Sequence, residues 1–384
     1  MKVYRSIIYT IVVITFLITV KVIWVSRATR HIDTVSTEFE DVEGRCIYLY
    51  HSMNDGPEEL LGNMPSMIGP QFQGEWALYT CSMLSTALTN LRILYPEHKT
   101  IFILMIRDAI EVALSPELRE YDTERWGEDA LETLDGDVSH ISYLSHIAWM
   151  ISGYKRAGGD DRYDVLYKDI CETMNRRILQ SPNLNLQTYP GEYIYVPDML
   201  VAIAALANYS RQNNGEYCMT IEAWVDEMKT NWIDQESGMI MSYIPAGNWI
   251  GRHPAKGSYS ALSCYYLTFV DEDFAREQYE LLKKNFYHER FITGFQEYYN
   301  RKCWLGFDID AGPILFNLSP TGTALAIGPA TYFEDWEVRN KLLHTAELAG
   351  FTVHNDGLRH YLLANAAIVG EAITLAMRTA VKWE

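Results

Sequence analysis

Asp308 and Asp310 alternate with Phe307 and Ile309 in the run Trp304-Leu305-Gly306-Phe307-Asp308-Ile309-Asp310-Ala311-Gly312-Pro313. On extended backbone, alternate side chains share a face. The two carboxylates would then couple electrostatically, and one would hold a proton near neutral pH, as a general acid must. A turn or helix-capping role for aspartates among glycines accounts for the same pattern. A second set lies in Tyr189-Pro190-Gly191-Glu192-Tyr193, followed by Tyr195, Pro197 and Asp198. Glu192 and Asp198 are proton-transfer candidates, although Asp198 is also placed to cap a helix starting around Pro197. Of the two histidines six residues apart, His140 stands at a helix start and is the better site candidate; His146 does not share its helical face. Trp126, Trp249, His253, Tyr259, Trp304 and Phe307 cluster in the same loops and would line a cavity and hold a substrate; singly, each ring is as well read as core.

Other chemistries are excluded by pattern. The sequence has no GxSxG elbow, P-loop, HExxH or dinucleotide fingerprint. Six cysteines are scattered without CxxC spacing, so they form no zinc site and leave the redox compartment open. No metal or organic cofactor is expected, because carboxylates can transfer protons alone. Against 32 basic residues stand 50 acidic ones, a formal charge of −18, which disfavours nucleic acid as a partner.

The elements that must position these residues follow from hydropathy. Ile7 to Val20 is an apolar run that Val22 to Val25 extends past Lys21, 19 residues in all, about the length that crosses a bilayer core. No small-residue cleavage site follows, so a retained signal anchor is expected over 1–30, with Lys21 snorkelling to the interface. The flanking charges favour a cytoplasmic N-terminus and a luminal or extracytoplasmic domain. Residues 31–74 read as a linker, rich in Gly, Pro and Met toward its end. From 75 to 384 turn-rich loops alternate with apolar helical stretches. First helices of successive pairs are expected to begin near 77, 139, 197, 258, 320 and 360, mostly about 60 residues apart, the length of a helical hairpin with its loops. The expected fold is all-α: one (α/α)6 toroid of helical hairpins behind a transmembrane helix, with an open stack of helical repeats as the alternative. In a closed toroid the candidate loops converge on one mouth. Asn208-Tyr209-Ser210 and Asn317-Leu318-Ser319 fit glycosylation sequons.

From about residue 70 to the C-terminus the chain resembles the linalool dehydratase/isomerase family. The resemblance rests on the order of Trp126-Gly127-Glu128-Asp129, Ser139-His140-Ile141-Ser142-Tyr143-Leu144, Asp160-Asp161-Arg162-Tyr163, the 189–198 loop, Trp232-Ile233-Asp234 and Tyr259-Ser260-Ala261-Leu262. It implies an (α/α)6 toroid that acts on small isoprenoid alcohols without a cofactor, and a functional histidine at His140. The chain departs from the family where two catalytic cysteines are expected: Tyr189 and Asp198 stand there. Thiol-assisted chemistry is therefore not expected.

Together these features predict a membrane-anchored lyase or isomerase, a cyclase included, acting on an apolar, isoprenoid-like small molecule. Asp308 or Asp310, alternatively Asp198, would donate the proton; His140 or Glu192 would accept it from carbon or return it. A glycan-active hydrolase or lyase, and a non-enzymatic binding protein, remain as alternatives. Expected partners are the substrate and the membrane, with homo-oligomerisation left open.

Overall fold

The computed structural model describes residues 2–29, 32, 38–65, 69–244, 254–290 and 292–383. The described chain is mostly helical. It begins with α1 (Lys2–Ala28), whose Tyr4–Ser26 stretch is long and apolar enough to cross a membrane. Six helices carry the core: α4 (Pro70–Leu94), α7 (Ile141–Ala157), α9 (Val196–Gln212), α11 (Gly257–Leu267), α13 (Pro320–Tyr332) and α15 (Ile368–Arg378). Each packs against the next, and α15 packs against α4. A second set flanks them: α5 (Lys99–Leu114), α8 (Asp164–Gln180), α10 (Cys218–Asn231), α12 (Glu272–Phe286) and α14 (Trp336–Gly350), with α2 (Phe39–Asn54) beside α15 and α4. The core helices show why the sequence reads as apolar stretches rather than stripes. Leu78, Leu144, Leu200, Leu262 and Ala326 are all fully or nearly fully buried, because neighbours cover these helices on several sides.

The six core helices share one direction. Their C-terminal ends meet in an aromatic plug, where Trp149 stacks on Trp383 at 4.6 Å and meets Phe269 and Tyr266 edge-on. The Trp383 indole N–H donates to Asn90 at 2.7 Å, which seats the end of the chain against α4. The N-terminal ends gather at the opposite face, called the mouth below. Pro70, Pro197 and Pro320 occupy first turns there, where a missing N–H costs nothing. The flanking helices run the other way, so their C-termini also reach the mouth.

Several expectations need correction. Residues 39–62, expected as linker, form α2 and α3 (Pro57–Gly62). Arg45 of α2 is buried and pairs with Glu371 of α15 at 2.6 Å, while Glu38 accepts from Arg339 and Arg378. The polar composition of this stretch reflects buried ion pairs rather than solvation. The sixth core helix begins at Ile368 instead of near 360, because Thr352–Asn355 and Leu358–Tyr361 form a β-hairpin. The first begins at Pro70 rather than near 77. A further helix, α6 (Pro116–Trp126), was not anticipated; its sequence Pro-Glu-Leu-Arg-Glu-Tyr-Asp-Thr-Glu-Arg-Trp is too polar to carry the apolar period. Strands are short antiparallel pairs, the relevant one being β5 (Leu305–Asp308) with β6 (Gly312–Leu315).

Candidate active site

Three carboxyl groups from distant segments collect at the mouth: Glu75 of α4, Asp198 of α9 and Asp310 of the β5–β6 turn. The charges of Asp198 and Asp310 both act on Glu75, and that of Asp310 acts on Asp198. Glu75 is pushed up to about 8 by burial and by Asp198, with the Arg125 guanidinium opposing. Asp198 is pushed up to about 6, chiefly by burial. Asp310 is also raised, again chiefly by burial, with Lys256 and Tyr259 opposing. Glu75 lies deep among protein atoms yet keeps 22% of its side-chain surface accessible, and its Oε2 is without a hydrogen-bond partner. Two open hollows elsewhere, one along α10 and α12 and one beside β5, contain none of the three acids.

Tyrosines wall the cluster. The Tyr79 hydroxyl, one helical turn from Glu75, donates to Asp198 Oδ1 at 3.1 Å. Tyr195 and Tyr259 face each other at 5.9 Å, and Tyr243 stands 6.4 Å from Tyr259. Tyr189 shares a hydrogen bond with Ser142 at 3.0 Å, and the Arg125 guanidinium lies over its ring at 3.5 Å. Arg125 reaches Glu192 at 3.7 Å and Glu75 at 4.0 Å, so it bridges the rim to the interior. Asp198 is not the cap of α9: Tyr195 holds the N-cap position, and the aspartate turns inward instead.

The Asp308–Asp310 pair is split by Lys256. Its Nζ lies 2.9 Å from Asp308, 3.6 Å from Asp310 and 3.5 Å from the buried Glu297. Asp308 also accepts from the backbone N–H groups of Asp310 and Ala311 at 3.1 and 3.2 Å. Lys256 and these bonds outweigh burial and hold Asp308 below its ordinary range, so the expectation that it could carry the acid proton is corrected. It is the turn-forming aspartate, and Asp310 is the candidate acid of the two. Glu297 is pushed up to about 7 by burial, opposed by Lys256 and by hydrogen bonds from Ser258. Among the described residues no three His, Cys, Asp or Glu side chains are grouped to hold a metal ion.

His140 is held by carboxylates other than the three acids. It is fully buried, its Nδ1 lies 2.5 Å from Asp122 and its Nε2 3.6 Å from Glu128. Trp126 covers the ring at 5.6 Å. None of these partners is one of the three acids, but Arg125, which reaches Glu75 at 4.0 Å, also acts on Asp122 beside the His140 ring. His140 holds left-handed backbone (φ 47°) and Nε2 lacks a hydrogen-bond partner. His146, set aside from the sequence, lies nearer: it packs on Tyr79 at 4.4 Å and bonds Ser82 at 2.8 Å.

Trp304 and Phe307 are 67% and 70% exposed, which corrects their expected place in the cavity wall. Alternation along β5 turns Phe307 away from Asp308. Trp249 and His253 lie outside the described residues. The Asn208 sequon is buried in α9, where its amide donates to Ser152 and its carbonyl accepts from Arg211, so it cannot present a glycosylation site.

Glu75, Tyr79 and Arg125 were not chosen from sequence. Glu75 and Tyr79, an i, i+4 pair on one face of a helix start that also carries Gln71 and Gln73, bear no local mark of this role. No protein-family model matches the chain.

Proposed function

We propose that the chain is a membrane-anchored acid/base enzyme, a lyase or isomerase acting on a largely apolar small molecule, and that its helix pairs form an (α/α)6 toroid with the site at the mouth. The observation that carries this reading is the meeting of Glu75 and Asp198, 123 positions apart in the chain, in one cluster where burial raises both carboxyls. Near neutral pH the first keeps its proton and the second has mostly released its own, which equips one site with an acid and a base. In a dehydration, Glu75 would protonate the substrate hydroxyl as the C–O bond breaks and water leaves. Asp198 would take a proton from the adjacent carbon as the double bond forms. Electron-rich faces of Tyr195 and Tyr259 suit positive charge developing between these steps. Asp310 would share the proton traffic, with Lys256 limiting the charge of the cluster. The segment order that resembles the linalool dehydratase/isomerase family supports this reading, with Asp198 at one of the two positions where that family has cysteines.

A glycan-active enzyme is the second reading, favoured by the succession of Tyr193, Tyr243 and Tyr195 at 5.2 and 6.0 Å, which could stack on sugar rings. An untargeted metabolite comparison tests both. Cells producing the wild-type chain are compared with cells producing Glu75→Gln or Asp198→Asn at equal abundance. Apolar compounds differing by one water or by isomerisation should change only with the wild type. Sugar fragments would support the second reading, and no difference would overturn the enzymatic one.

A further inference from the structure

We propose that the mouth face docks on the surface of a lipid bilayer, so that the carboxyl cluster opens toward lipid rather than toward bulk water. The inference rests on reading α1 as a membrane span and is independent of the acid/base chemistry. Its first support is the direction in which α1 leaves the domain. Trp24 stacks on Phe351 at 4.8 Å, and Thr29 bonds His344 at 3.0 Å. Phe351 follows the C-terminus of α14 at the mouth, and His344 lies two turns back toward the aromatic plug. Residues 24 to 29 therefore descend from the mouth along α14. The continuous helix before Trp24 projects outward from the mouth face, and the 20 residues back to Tyr4 add about 30 Å, a bilayer core thickness.

The second support is where exposed apolar side chains fall. Outside α1, thirteen large apolar residues are exposed among the described residues, and eight of them lie on two mouth-face segments. Every exposed Trp or Phe outside α1 is among these eight. Trp304, Leu305 and Phe307 project from the β5–β6 pair, whose opposite face carries Asp308. Phe351, Leu362 and Leu363 lie beside the point where α1 departs, with the Leu362 N–H donating to the Phe351 carbonyl at 2.9 Å. Surface aromatics of this kind suit the headgroup boundary.

The third support is charge. Beside Trp304 a hollow of about 520 Å³ is lined by Arg290, Arg301 and Lys302. Among the described residues none of the three pairs with a carboxylate. In a chain of net charge −18, such a basic site bordering an apolar rim fits an anionic lipid headgroup.

The test places a photoreactive benzoylphenylalanine singly at Leu305 or Leu363 of the full chain. Leu104 and Val165, exposed near the plug end, serve as controls, and Ile14 reports on the span. Protein is reconstituted into phosphatidylcholine vesicles with or without about one-fifth phosphatidylserine, and lipid adducts are read by mass spectrometry. Positions 305 and 363 should give at least about tenfold more adduct than 104 and 165. Arg301→Gln with Lys302→Gln should lower the yield at 305 severalfold in the anionic vesicles. Labelling at 14 with only control yields at 305 and 363 would overturn the docking and leave the span. No labelling at 14 would remove the span and the docking together. Neither outcome bears on the acid/base reading.

Discussion

Replacing Glu75 by Gln should make the protein more stable while abolishing its activity. The carboxyl is raised from an ordinary 4.5 to about 8. Between those values the folded state keeps a proton that the unfolded chain has released. Stability attributable to this group is thus fully present below pH 4.5 and declines until pH 8 is passed. At about 1.4 kcal/mol per unit, the displacement opposes folding by roughly 3 kcal/mol at pH 7. The accessible 22% of the Glu75 side chain lets water screen part of this, and Arg125 loses an ionised partner, so a gain of about 1–2 kcal/mol is expected at pH 7, or a few degrees in Tm. Gln keeps the shape and removes the titration. Melting of detergent-purified wild type and variant, followed from pH 5 to 8.5, should coincide near the acid end and diverge steadily above it. A variant that melts at or below the wild-type temperature at pH 8, or by a margin that does not change with pH, would refute the argument that burial strains this carboxylate.

Further outcomes follow from neighbouring groups. Lys256→Met leaves Asp308, Asp310 and Glu297 facing one another without their cation and should cost about 3–5 kcal/mol; denaturant titration should show a smaller loss at acid pH, where carboxyls protonate. His146, held down to about 3 by burial, is neutral in the fold, so stability falls as pH drops below 6.5 toward 3 and the unfolded chain gains the proton. His146→Gln should therefore flatten the acid side of the Tm–pH curve by the equivalent of one proton, visible between pH 6 and 4. Gly257→Ala would put a Cβ 1.9 Å from the Gln296 carbonyl oxygen, a backbone clash that should stop α11 from seating and leave little folded protein in a soluble-yield assay.

The legible parts of the fold and site were those written in local patterns. Pro197 punctuates a helix start, and apolar stretches between turn residues located most of the core helices. Asp198, Tyr189, Glu192, Tyr259 and Asp310 were singled out because polar and aromatic residues gather in loops before those helices. Glu75 was not, since nothing local distinguishes a glutamate of a helix start from a solvated one; only contact with Asp198, across 123 positions, makes it unusual. Arg125 and Lys256 are likewise decided by partners 41 to 67 positions away. The period-two reading of residues 307–310 contained its own correction: if Asp308 faces inward on a strand, Phe307 faces out. Expecting both to line the cavity neglected that alternation. Residues 39–54 were read as linker because buried ion pairs such as Arg45–Glu371 look like surface charge until the partner is known.

The central claim, that Glu75 is a neutral acid beside the ionised Asp198 at working pH, is tested most directly by infrared titration of the carboxyl groups. Spectra of wild type minus Glu75→Gln, recorded from pH 5 to 9, should contain a protonated-carboxyl stretch at pH 7 that disappears with a midpoint near 8. A difference spectrum with only ionised carboxylate at pH 7 would contradict the account.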